Sequence, residues 1–163
     1  MNKKVTFIVQ AGIIAALYVV LTFLANAMGL ASGAIQFRLS EALTILPYFT
    51  TAAIPGLWIG CILANFLTGC ALYDIIFGSL ATLLGAVFSY LLRKNKWLVP
   101  IPPIVANVLI VPWVLRFVYE IPDAIWYLML TVGIGEVVCC GVLGMLLLFA
   151  LEKRRAQVFP ENV

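Results

Sequence analysis

A carboxylate set in the middle of a hydrophobic run is the residue of this sequence with the most obvious chemical potential. Glu136 lies in V-G-I-G-E-V-V-C-C-G-V-L-G, about a dozen residues into the last apolar stretch. An unpaired charge at that depth of a membrane costs on the order of 3 kcal/mol or more. Such a group must face a cavity or a cation, or pair with an arginine that ties helices together. Asn65, in I-L-A-N-F-L, and Asn107, in I-V-A-N-V-L, make the same demand for a partner. A lone amide in hydrocarbon meets it either across a helix interface or with a ligand. Asp74 opens another apolar run. Arg38 and Glu41 stand three residues apart at a helix start, where they either meet a ligand or pair with each other and cap the helix.

Several chemistries are closed to this set. The chain has no histidine, which removes zinc-protease motifs, Ser-His-Asp triads and Cys-His dyads. The four cysteines, Cys61, Cys70, Cys139 and Cys140, show no metal-ligand spacing and read as small packing residues. No glycine-rich loop leads into Lys followed by Ser or Thr, so the chain cannot cradle the phosphates of ATP. Glu136 stands alone at depth, so there is no chain of acids for a proton relay. No catalytic residue, bound metal or cofactor of its own is expected, and no nucleic-acid partner. A lipid-directed membrane enzyme could use Glu136 and Asp74 as acid and base, but no nucleophile with a base supports it.

The elements that position these residues follow from composition. Of 163 residues, 64% are hydrophobic and 10% charged, with a mean hydropathy of +1.13. A water-soluble domain is nearer half apolar and about a quarter charged, so the solvent is a bilayer. A crossing helix needs roughly 20 apolar residues. Cutting the runs at charges, prolines and glycines gives spans at 5–28, 41–54, 55–72, 74–92, 98–117 and 125–151. The expected fold is an all-α integral membrane bundle of six transmembrane helices forming a single domain over residues 1–163. Pro47, Pro55 and Gly56 make the second join a tight reversal or a broken helix. The first run is too long for the apolar core of a cleavable signal peptide and reads as a retained span.

Alternating sides gathers Lys3, Lys4, Arg93, Lys94, Lys96, Lys153, Arg154 and Arg155 on one face, eight of the ten basic residues. The positive-inside rule makes that face, and with it both termini, cytoplasmic. The expected location is therefore the plasma membrane, crossed several times. Glu41, Asp74, Glu120, Asp123 and Glu136 fall in the outer half, against Arg38 and Arg116. Trp113, Trp126, Tyr73, Tyr119 and Tyr127 lie near the outer boundary, as an aromatic belt would place them. Ala11 and Ala15, with neighbouring Gly12 and Ala16, form a small-residue stripe on the first span, and Gly56, Gly60 and Ala64 repeat it on the third. Internal packing is the default meaning of such stripes, with an external helix as the alternative for the first.

The stretch A-I-Q-F-R-L-S-E-A-L-T-I-L-P-Y-F at 34–49, then A-I-P-G-L-W-I-G-C-I-L-A-N-F, then D-I-I-F-G-S-L-A-T-L-L at 74–84, resembles the QueT family. These are substrate-binding S components of energy-coupling factor (ECF) transporters, associated with uptake of queuosine precursors. The resemblance runs from about residue 5 to 151. It implies a six-helix protein that takes a vitamin-like solute from outside and docks on a transmembrane scaffold subunit carrying two ATPases, which hydrolyse the ATP. It also implies that Ala11 and Ala15 match a scaffold-docking motif of Ala, three residues, Ala.

The ligand implied by the resemblance is a deazaguanine base, in its aminomethyl form a planar molecule with a donor edge and a cationic amine. A carboxylate accepts two parallel hydrogen bonds from such an edge, and Arg, Asn or Gln donates to the exocyclic oxygen. Glu136, Glu41 and Asp74 are the candidates for the acidic roles, and Gln36, Arg38, Asn65 and Asn107 for the donor roles. The S-component pattern puts Gln36 and Arg38 in a lid and Trp113 and Glu136 in the pocket wall. An S component for another vitamin, such as thiamine or riboflavin, is the alternative.

Overall fold

In hydrocarbon every backbone N–H and C=O must find its partner within the protein, which leaves helices as the solution for isolated apolar runs. The computed structural model describes residues 3–31 and 35–159, and every regular element among them is helical. The long helices are α1 (Lys3–Ala27), α2 (Ala53–Leu67), α3 (Leu72–Leu91), α4 (Ile101–Phe117) and α5 (Ile125–Glu152). A short α6 (Arg155–Val158) follows, and two 3₁₀ helices cover Leu39–Tyr48 and Lys96–Leu98.

Among the described residues four helical stretches are long and apolar enough to cross a membrane: Lys3–Ala27, Leu72–Leu91, Lys96–Phe117 and Ile125–Glu152. α2 is equally apolar but has only 15 residues. The segment expected as a second span over 41–54 is instead a ten-residue 3₁₀ helix, Leu39–Tyr48, that ends at a turn before α2. Pro47 sits within it and cannot donate to a preceding turn. At roughly 2 Å rise per residue, ten residues of 3₁₀ helix reach about 20 Å, where an α-helix of equal length reaches about 15 Å.

Burial distinguishes this segment from its neighbours. Every residue from Ser40 to Pro47 is buried, and Leu43, Ile45 and Leu46 join Tyr18, Leu57 and Leu148 in the main apolar core. The 3₁₀ helix is thus the axis around which α1, α2, α3 and α5 pack, while the long helices turn their large side chains, such as Ile8 and Val20 of α1, outward. An outward apolar face on a bundle with a partly polar interior is what a lipid-solvated protein requires.

Close approach of the helices is a matter of small residues. A Cβ on Gly56 would lie 2.8 Å from the Ala11 carbonyl oxygen, and one on Gly60 2.8 Å from Tyr18 Cβ and 3.0 Å from Ala15 Cα. Ala15 is buried there. The small-residue stripes of α1 and α2 therefore meet each other. A Cβ on Gly85 would strike Pro103, which fixes α3 against α4 in the same way. α5 carries a π-helical segment, Val137–Leu143, of the kind that often marks functional positions in helices.

Candidate functional site

A cavity of about 480 Å³ opens at the end of the bundle where α3 begins. Its wall takes Tyr18 and Thr22 from α1, Gln36 and Arg38 from the following loop, Asn65 from α2, Asp74 from the first turn of α3, and Tyr119 from the α4–α5 turn. Asp74 is buried. Its Oδ2 accepts the Tyr119 hydroxyl at 2.9 Å, and that hydroxyl accepts the Ala71 N–H at 3.2 Å. Arg116 Nη1 donates to the Ile121 carbonyl at 2.9 Å and clamps the turn that carries Tyr119. A Cβ on Gly78 would lie 3.2 Å from Asn65 Nδ2 and 3.3 Å from Asp74 Oδ1. The missing side chain lets the amide and the carboxylate share that corner of the cavity.

Below the cavity the polar groups continue inward. The Tyr18 hydroxyl, on the cavity wall, donates to Glu41 Oε1. Glu41 is wholly buried, and among the described residues its Oε2 has no partner in hydrogen-bonding geometry. The Nδ2 of Asn107, also buried, has no well-aligned partner among the described residues either, and its amide faces the carboxylates of both Glu41 and Glu136. Buried polar atoms without partners are uncommon and costly, and here an acceptor and a donor are left open in one cluster.

Glu136 completes it. Its Oε2 accepts the Cys140 thiol at 3.1 Å, one helical turn along α5, and Cys140 Sγ also lies 3.5 Å from the Glu41 carbonyl oxygen. Thr44 Oγ1 donates to that same carbonyl at 2.6 Å and sits 3.4 Å from Cys140 Sγ. Ligand atoms of Glu41, Glu136 and Cys140 all fall within 4.8 Å of one another. Three donors, with the thiol already engaged, fall short of the four that a closed structural metal shell takes. Two buried carboxylates with an unfilled acceptor suit a cationic or donor-rich group.

Charge compensation comes from the loop. Among the described residues neither Glu41 nor Glu136 has a Lys or Arg nitrogen within 4.0 Å. The Arg38 guanidinium nevertheless acts electrostatically on both, and on Asp74. Arg38 thus acts on the carboxylate at the mouth and on the pair beneath. The backbone carbonyl of Gln36 rests directly on Gly135 of α5, so closely that a Cβ there would overlap it. This contact seats the loop residues 35–38 over the cavity.

The residues expected at a site fall into three groups. Gln36, Arg38, Asn65 and Asp74 line the cavity, and Glu41, Asn107 and Glu136 form the buried layer under it. Trp113 lies elsewhere. Its ring faces outward, 48% exposed and stacked on Phe117 at 6.0 Å, in an apolar groove with Tyr73 and Phe77. Four apart on α4, the two aromatics satisfy each other on the lipid-facing side. Ala11 and Ala15 pack against α2 as described above.

Tyr18, Thr22, Ser40, Tyr119 and Cys140 belong to the site but are not singled out for it by sequence reasoning. A signal did exist for the first two. Tyr18 and Thr22 are polar groups one turn apart in an otherwise apolar run, on one face of α1, and Thr22 Oγ1 donates to Ser40 Oγ at 3.0 Å. Tyr119 carried only a boundary signal, and nothing local set Cys140 apart from Cys139.

Comparison with known proteins decides the family. The family described as QueT transporter matches residues 8–153, nearly the whole chain. This chain belongs to the QueT transporter family. The family is described as one of transporters. A curated relative from Lactococcus lactis subsp. cremoris (strain MG1363), named queuosine precursor transporter QueT, is 42% identical over 84 residues. That alignment covers 51% of this chain and 49% of the relative, so the match spans about half the relative's length. No solved structure matches this QueT family chain.

Proposed function

We propose that this chain is the substrate-binding S component of an ECF transporter, and that it takes up a queuosine precursor, the aminomethyl form of the deazaguanine base, from outside the cell. One observation carries the reading: a cavity of about 480 Å³ with a carboxylate at its mouth and two more buried beneath, interleaved with amide and guanidinium donors. A flat base with a donor edge and an ammonium group needs acidic acceptors at two separated points, and Asp74 and the Glu41–Glu136 pair supply them. Asn65, Asn107, Gln36 and Arg38 are the donors for its exocyclic oxygen.

The Lactococcus relative's name supports the substrate class. In this reading the 3₁₀ helix and the short α2 are the second and third of six crossings, both termini are cytoplasmic, and the membrane is the plasma membrane. The partners are an ECF scaffold subunit and two ATPase subunits that hydrolyse the ATP, so this chain holds no cofactor. The outward side of α1, where Gly12 has open space and Ala16 is exposed, faces the scaffold beside Ala11. Docking through the buried Ala15 would require α1 to part from α2.

The test is calorimetric titration of the purified protein with the aminomethyl base, the nitrile base, queuine, thiamine and riboflavin. Heat is a better readout than tryptophan emission, because none of the four tryptophans lines the cavity. Tightest binding of the aminomethyl base is expected. Tighter binding of riboflavin or thiamine would replace the substrate assignment, and no heat with any of the five would remove the reading.

A further inference from the structure

Three carboxylates serve the cavity and the layer beneath it, and each has one oxygen engaged by a side chain from elsewhere in the fold. Asp74 Oδ2 accepts the Tyr119 phenol at 2.9 Å, Glu41 Oε1 accepts the Tyr18 phenol, and Glu136 Oε2 accepts the Cys140 thiol at 3.1 Å. Two of these donors are O–H groups. The third is S–H, a weak donor. A ligand that seeks both oxygens of one carboxylate must first displace such a donor, and the thiol is the one whose displacement costs least.

The neighbours of Cys140 lower that cost further. Its Sγ lies 3.5 Å from the Glu41 carbonyl oxygen, a second acceptor for the same proton. That carbonyl already takes the Thr44 hydroxyl at 2.6 Å, but a carbonyl oxygen has two lone pairs. A turn of the S–H about the Cβ–Sγ bond therefore exchanges one acceptor for another without stranding a buried donor. Glu41, Thr44, Glu136 and Cys140 are all buried, where an unmade hydrogen bond is expensive. The phenols are held more firmly. Tyr119 donates to Asp74 while accepting the Ala71 N–H, and Tyr18 packs so closely on Gly60 that a Cβ there would lie 2.8 Å from its own.

We propose that Cys140 is a specificity-determining residue: its thiol yields Glu136 Oε2 to the ligand and turns to the Glu41 carbonyl, so that Glu136 takes two parallel N–H donors from the edge of a flat base. The inference rests on the substrate assignment above and names the carboxylate that reads the base edge, leaving Asp74 for the ammonium group. A base with one edge donor gains nothing from the second oxygen, so the exchange selects for an exocyclic amino group.

Calorimetry on the full chain would compare the aminomethyl deazaguanine with its analogue lacking the exocyclic amino group, in the unaltered protein, Cys140→Ala and Cys140→Ser. The deazaguanine is expected to bind Cys140→Ala about three-fold tighter than the unaltered protein, since no donor has to be displaced. It should bind Cys140→Ser about ten-fold weaker than Cys140→Ala, because a hydroxyl competes for Oε2 more strongly than a thiol. The analogue should not follow this series, and equal responses of the two ligands would overturn the proposal. Infrared difference spectra of the unaltered protein, with and without the deazaguanine, read the S–H stretch directly. A shift that persists in Cys70→Ser, which removes the thiol on the cavity wall, is expected. Binding with an unmoved band overturns the proposal alone, even if the Cys140 variants fail to fold. No binding of the deazaguanine to the unaltered protein would overturn the substrate assignment, and the proposal with it.

Discussion

Tyr119 and Asp74 meet across the mouth of the cavity at the start of α3: the phenol donates to Oδ2 at 2.9 Å while accepting the Ala71 amide at 3.2 Å. A turn after α4 is thereby strapped to the first turn of α3, and the carboxylate is left with Oδ1 beside Asn65 and Gly78. The arrangement fixes an acceptor at the entrance without neutralising it.

Asp74→Asn keeps the shape of this corner and removes its charge. Charge-assisted hydrogen bonds contribute more than neutral ones, so the aminomethyl base should lose about 2 kcal/mol of affinity, roughly thirty-fold. The neutral nitrile base should lose much less. Calorimetry on both ligands checks this, and an equal loss for the two would show that Asp74 does not receive the amine.

Glu136→Gln acts on the buried layer. It too should weaken the aminomethyl base by about 2–3 kcal/mol, because a charged acceptor becomes a neutral amide. Protein stability should move the other way or stay level, since one of two neighbouring buried acids is gone. A thermal melt beside the titration separates the two effects. Unchanged affinity would take Glu136 out of the binding site.

Gly135→Ala tests the seat of the loop. In an exposed helix interior the change would stabilise by about 1 kcal/mol, but here the new Cβ overlaps the Gln36 carbonyl. The expected outcome is a net loss of about 1–3 kcal/mol together with weaker ligand binding, as the loop lifts Gln36 and Arg38 away. Melting temperature and titration on the same sample measure both. Stabilisation without loss of binding would show that the loop is not held by this contact.

The Tyr119–Asp74 strap has a pH signature. Partial burial, reinforced by the Asp74 charge, raises the Tyr119 phenol above its ordinary value of 10.0. The folded state therefore favours the protonated phenol. The strap's contribution to stability is whole below pH 10 and is lost as pH rises through the higher folded value. The stability gap between wild type and Tyr119→Phe should hold level up to pH 10 and narrow above it. A gap that closes between pH 7 and 9 would contradict the assignment.

Opposite sides of α1 should respond differently. Gly60→Ala drives a Cβ to within 2.8 Å of Tyr18 and should destabilise by about 1–3 kcal/mol. Ala16→Trp, on the exposed side, should leave melting and ligand binding unchanged while abolishing uptake in cells that contain the scaffold and ATPases. Normal uptake by that variant would show that this side of α1 meets no partner.

Particular residues show how far the sequence reaches. Glu136, Asn65, Asn107, Glu41 and Asp74 were legible because a polar group in an apolar run has to be accounted for, and Gln36 and Arg38 because of the family resemblance of their segment. The ring of Trp113 turns outward and stacks on Phe117, a rotation about α4 that is not written in its neighbours. The segment after Arg38 reads in the sequence as an ordinary lipid-facing helix, because apolarity does not distinguish a helix facing lipid from one enclosed by other helices.

By itself, then, the sequence determined the solvent, the helical class and the kinds of group available for binding, since transfer energies and backbone hydrogen bonding depend on composition and run length alone. Only the tertiary structure decided that Leu39–Tyr48 is a buried 3₁₀ axis, that Tyr18 reaches Glu41, and that Cys140, ninety-nine residues from Glu41, closes the cluster. Those contacts depend on how helices pack and turn about their axes, which long-range close packing sets and no local pattern encodes.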